Sequence, residues 1–122
     1  MVQQLRERSL QLLSDVERAK QYHRQKQEGQ SFSFEGTILP FVNEVQERVE
    51  VWRGEALAFA EENAMNTLNA VQIEHTYENM YVIPTESFQA HVREKRYEER
   101  IQAIYYVMEL LFDEMNEKSN AD

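Results

Sequence analysis

Apolar residues recur three and four positions apart in four separate stretches of the chain, the spacing of one face of an α-helix. In the first stretch Leu5, Ser9, Leu12, Val16, Ala19 and His23 share that face. The pattern stops at Glu28 and Gly29, and glycine is a natural helix end. Residues 30–36 form a connector whose two aromatics, Phe32 and Phe34, are expected to pack on the end of the fold. The second stretch runs through Ile38, Val42, Val45, Val49, Trp52, Ala56 and Phe59 and fades between Asn63 and Thr67. Pro40 sits near its start, where a missing N–H costs little, and a short helical turn can precede it. Asn69 opens the third stretch with Gln72 at capping-box spacing, and Ile73, Tyr77, Met80, Pro84, Ser87 or Phe88, and His91 mark its face. Pro84 lacks a donor and clashes with the turn before it. Because the apolar phase resumes at Phe88, a kinked helix that continues to His91 is expected. The fourth stretch is the strongest: Tyr97, Ile101, Ile104, Tyr105, Met108, Leu111, Phe112 and Met115. It frays from Asn116, with a disordered tail at about 117–122.

Four helices with this spacing pack at shallow crossing angles, and short connectors make successive helices antiparallel. The fold class is therefore all-α: an antiparallel up-and-down four-helix bundle, with residues 1–122 as a single domain. Period-two alternation never extends beyond a few residues, so no strand is expected.

Composition supports a folded domain, since hydrophobic residues are 42% of the chain. Cysteine is absent, which removes disulfides, thiolate metal sites and cysteine nucleophiles. Thirteen cations against 22 carboxylates give a formal charge of −9, so phosphate backbones are repelled and no nucleic acid is expected as partner. The densest basic run, Arg93-Glu94-Lys95-Arg96, is interleaved with acids and reads as a solvated helix start. No apolar run spans a membrane, and the first residues lack a signal-peptide core. A cytoplasmic location is expected.

Several segments resemble one family. Phe34-Glu35-Gly36-Thr37-Ile38-Leu39-Pro40, then Trp52, then Gln72-Ile73-Glu74 and Glu94-Lys95-Arg96-Tyr97 are similar to the YppE-like proteins, small proteins of low-GC Gram-positive bacteria. The resemblance covers nearly the whole chain. It implies an up-and-down four-helix bundle and no assigned activity. Pro84 is a departure, at a position where the family accepts an ordinary aliphatic, and it bears on how straight the third helix is.

Candidate chemistry is sparse. Di-iron bundles need Glu-x-x-His pairs, but Lys20, Gln72 and Phe88 stand three before His23, His75 and His91. His75 and His91 are separated by about 24 Å if both lie on one helix, so a three-His centre is not expected. One convergence remains. His23 and His91 both fall on apolar seams at the same end of an up-and-down bundle, with Glu35, Glu94 and Tyr97 nearby. Two imidazoles and a carboxylate suit Zn²⁺ or a similar ion. The competing reading is a half-wet seam where histidine is tolerated with one hydrogen bond. No catalytic residue and no cofactor are assigned: Ser9, Ser31, Ser33 and Ser87 have no activating partner in the pattern. The chain reads as non-enzymatic.

A surface is the other candidate. Ala103, Tyr106 and Leu110 form a second stripe on the fourth helix, away from Ile101, Ile104 and Met108. Leu39, Phe41, Val51 and Leu57 likewise lie off the main seam of the second. The expected partner is another protein or a second copy of the chain, with Tyr106 as anchor because tyrosine combines contact area with a polar tip.

Overall fold

Each apolar stretch folds as a helix in the structure, a computed structural model that describes residues 2–63 and 68–121. The helices are α1 (Val2–Gln27), α2 (Leu39–Glu62), α3 (Ala70–Glu86) and α4 (Glu94–Ala121). The termini follow local chemistry. At the end of α1 the Gln30 N–H donates to the Gln25 carbonyl at 3.0 Å and Gly29 N–H to Lys26 at 3.0 Å. That closure needs a left-handed residue, and Gly29 has φ 95°. At the start of α3 the Gln72 N–H donates to Asn69 Oδ1 and the Asn69 N–H to Gln72 Oε1, both at 2.9 Å, the expected capping box. Part of the fading end of the second stretch, 64–67, lies outside the described residues.

Polar pairs fix the directions. As α1 advances from Arg8 to Asp15 to Arg18, its partners on α2 retreat from Glu55 to Arg48 to Glu44. Arg53 meets Glu74, Glu50 meets Tyr77 and Gln46 meets the Tyr81 carbonyl, so α2 and α3 are also antiparallel. Arg6 bonds Asn116 and His23 bonds Glu94, which runs α4 against α1. The helices contact in the order α1–α2–α3–α4–α1, with a further diagonal contact between α1 and α3. This is the antiparallel up-and-down bundle expected from the spacing. Among the described residues no helix is long and apolar enough to cross a membrane.

The core is the set of seam residues, with three adjustments. Phe41 is buried and Val42 only half-buried, so in the first turn of α2 the seam passes through the residue one before the position that the spacing suggested. A π-helical turn, Phe34–Ile38, leads into α2, and the Ile38 N–H reaches the Ser33 carbonyl five residues back at 3.1 Å. On α4 Val107 is buried, whereas Tyr105 and Phe112 are half-buried beside the core. α4 also stays helical through Ala121, beyond the point where fraying was expected.

Helix three departs most. It ends at Glu86 instead of bending at Pro84 and running to His91. Pro84 is buried inside its last turn and supplies no N–H to the preceding carbonyls. Ser87 then closes the helix, with its N–H and its hydroxyl both donating to the Ile83 carbonyl, at 3.0 and 2.8 Å. Phe88 keeps the apolar phase from a turn, not from a helix. Its ring packs on Tyr22, Phe32 and Phe41 at centroid distances of 5.0, 5.4 and 6.1 Å.

One seam position has a polar explanation. Buried Ser9 donates to the Leu5 carbonyl at 2.8 Å and accepts the Trp52 indole N–H at 2.9 Å. A buried indole N–H needs an acceptor, and Ser9 is placed to be one.

Candidate functional site

The bundle end where α1 finishes and α4 begins brings together part of the predicted histidine set. His23 is 7% exposed, and its Nε2 lies 2.8 Å from Glu94 Oε1. An ionised carboxylate only accepts, so Nε2 carries the proton in this contact. The imidazole lies against the Tyr97 ring at 4.3 Å between centroids. Tyr97 in turn bonds Ser87 Oγ at 2.8 Å. Because the Ser87 hydroxyl proton is directed to Ile83, the Tyr97 hydroxyl is the donor. Burial pushes the Tyr97 phenol up to about 12.

His91 is not part of this cluster. With α3 ending at Glu86, His91 lies in the turn between α3 and α4 and is exposed. Glu35 is exposed in the π-helical turn. His23 Nδ1 is buried and makes no hydrogen bond. Among the described residues no group of three or more histidines and carboxylates is arranged to hold a metal ion. The expectation that both histidines sit on helical seams therefore holds for His23 and fails for His91. An open groove of about 540 Å³ borders the His23–Glu94 contact and is lined by Lys20, Arg24, Gln27, Tyr97 and Glu98 among others.

The predicted surface stripe is on the outside of α4. Tyr106 is 59% exposed, Ala103 is exposed and Leu110 is half-buried against the core. Of the off-seam residues on α2, Leu39 and Val51 are exposed, Leu57 is half-buried and Phe41 belongs to the core. Phe32 packs on the bundle end as expected, while Phe34 is 62% exposed.

The pattern of apolar residues did not reveal Asp15. It is 3% exposed, and Arg48 grips both its oxygens, Nε to Oδ2 at 2.7 Å and Nη2 to Oδ1 at 3.3 Å. Burial nonetheless outweighs Arg48 and raises the Asp15 carboxyl above its ordinary value. The signal was available in the antiparallel register. Asp15 adjoins Val16 and Arg48 adjoins Val49, so opposite charges flank facing seam positions at the same height.

Charge is divided unevenly along the bundle axis. Residues 16–48 and 80–103, which build the end containing His23, hold nine cations and nine carboxylates. The opposite half, residues 2–15, 49–63, 68–79 and 104–121, holds four cations and twelve carboxylates. Of those four, Arg8 and Arg53 are in ion pairs and Arg6 bonds Asn116. Glu99 at the edge of the neutral half, with Glu109, Asp113 and Glu117 in the acidic one, lines the exposed side of α4.

This arrangement defines an all-α bundle of the up-and-down class, with an apolar core and polar side chains that bridge its helices. Residues 9–115 match the model of a bacterial domain of unknown function, DUF1798, and the chain belongs to that family. Solved structures agree on the fold. The crystal structure of YppE from Bacillus subtilis superposes with a TM-score of 0.92 at 22% identity, covering 98% of each chain. Its solution structure gives 0.85 at 23% identity over 95% of each chain. A protein of unknown function from Listeria innocua gives 0.89 at 19% identity, covering 98% of this chain and 96% of that one. The YppE-like resemblance read from the motifs is borne out. No curated protein matches the chain.

Proposed function

We propose that the chain is a small, non-enzymatic interaction module that binds another protein through the outer face of α4. One observation carries this reading: Tyr106 projects with 59% of its surface exposed, beside exposed Ala103 and half-buried Leu110, on a helix whose opposite face is core. A large amphipathic ring held on a rigid helix is a low-entropy anchor for a partner. We place this activity in the cytoplasm, in keeping with a cysteine-free acidic chain. The test is a photo-crosslinking phenylalanine analogue introduced at position 106 in the native cell, with position 47 on α2 as the control site. A discrete protein adduct is expected from 106 and not from 47. Equal labelling from both positions, or none from 106, sinks the proposal.

A second reading takes its support from the groove beside His23 and Glu94, whose walls carry both signs of charge. A small zwitterion is the matching ligand. It requires a rise in melting temperature on adding free amino acids, abolished by Glu94→Gln. If no amino acid shifts the melt, this reading is discarded.

A further inference from the structure

We propose that the partner segment seated on the outer face of α4 is a cationic amphipathic helix. The inference rests on the α4 reading above and adds the chemistry of the occupant. Glu99, Glu109, Asp113 and Glu117 are all exposed on this helix, and none has an ion-pair partner among the described residues. They bracket Ala103, Tyr106 and Leu110 along about 27 Å of helix. The single cation between Tyr97 and Glu117 is Arg100, and it is turned toward α3, 3.1 Å from Glu86 and 3.3 Å from Asn79. The outer face is thus an apolar stripe with an acidic border.

That chemistry selects among occupants. A second copy of the chain would bring the same four carboxylates against themselves, on molecules that each carry −9. Anionic membranes and nucleic acids are repelled for the same reason. A helix with leucines on one face and lysines or arginines beside them meets Tyr106 and Leu110 with its apolar side and the carboxylates with its flanks. Its cations can also lie over the Tyr106 ring.

The test uses three synthetic 18-residue helices, identical in their leucine face and carrying lysine, glutamine or glutamate on the other. Binding is read by fluorescence anisotropy to the full chain. The lysine peptide is expected to bind, and to weaken about tenfold with Tyr106→Ala and again with Glu109→Lys plus Asp113→Lys. The doubly reversed variant should gain affinity for the glutamate peptide. Glu47→Lys plus Glu61→Lys, on α2, should leave binding unchanged. Circular dichroism checks that every variant keeps its helices. If the α2 reversal weakens binding as much as the α4 reversal, overall charge explains the effect and the inference fails. Should the glutamine peptide bind as tightly as the lysine peptide and remain Tyr106-dependent, the cationic partner is wrong while the docking face stands. Absence of Tyr106-dependent binding to any of the three overturns both.

Discussion

The two halves of the bundle spend their polar side chains differently. At the neutral end, side chains tie helices to one another. His23 bonds Glu94, Tyr97 bonds Ser87, Arg100 faces Glu86, and Arg18 lies over Phe41 at 4.8 Å. Tyr22, Phe32, Phe41 and Phe88 close that end with ring contacts of 5.0–6.1 Å. In the acidic half, polar ties such as Arg8–Glu55 and Arg53–Glu74 use up cations and leave most carboxylates facing solvent. Cohesion there comes from inside, through the Ser9–Trp52 bond and the apolar core around it. The contrast separates holding the fold together from presenting a surface: the neutral end serves the first task and the acidic half is available for the second.

If the neutral end depends on its aromatic closure, Phe88→Ala should be the most damaging surface-proximal change. Phe88 touches three other rings, and losing it should cost about 3 kcal/mol, read from urea denaturation. A loss below about 1 kcal/mol would mean that the end is held by its polar contacts instead. The counterpart in the acidic half is Ser9→Ala. It leaves the Trp52 N–H buried without an acceptor and should cost about 2 kcal/mol. Unchanged stability would show that water or another group satisfies the indole.

How much of this was legible in the sequence follows the same division. The seam residues were readable because burial on a helix imposes a spacing that any apolar residue satisfies. His23 and Ser9 fell on that spacing too, and both are buried. The spacing could not distinguish α3 continuing past Pro84 from a turn that drops Phe88 into the same apolar layer. That difference is decided by tertiary partners: Tyr97 bonding Ser87 and three rings receiving Phe88. His91 was misplaced for that reason. Asp15 was missed because hydrophobic periodicity is blind to a charge whose partner lies 33 residues away. The exposure of Tyr106 was readable because the residue falls opposite a complete seam, and it is 59% exposed.

Asp15 joins the two halves, since its partner Arg48 belongs to the neutral one. Its carboxyl is raised by burial, so the folded state holds that proton more tightly than the unfolded chain. The sign follows. Wild-type stability carries no penalty from Asp15 below the unfolded value, loses ground as pH rises through the raised value, and carries the full penalty above it. Asp15→Asn imitates the neutral carboxyl. It should lie within about 1 kcal/mol of wild type at pH 7. Relative to that variant, the wild type should gain as pH falls into the carboxylate range. Parallel denaturation series at pH 7 and pH 4 measure this. A relative gain for wild type at the higher pH would show that Arg48 outweighs burial after all.

The smallest expected effect tests the charge division most directly. Glu78 lies on α3 in the acidic half and Glu98 on α4 in the neutral one, and both are exposed. Each follows another glutamate by one helical turn, Glu74 and Glu94, and each of those already has a partner, Arg53 and His23. Reversal to lysine therefore creates the same local i,i+4 pair in both places, and the local contribution cancels between them. What remains is the field of each half. Glu78→Lys should stabilise by about 0.5 kcal/mol by relieving carboxylate repulsion. Glu98→Lys should gain nothing, because Glu98 shares its groove with Lys20 and Arg24. In 1 M salt, where screening acts within about 3 Å, the two variants should converge. Equal stabilisation at low salt would erase the distinction between the halves. A difference that persists in 1 M salt would assign it to local contacts instead of the uneven charge.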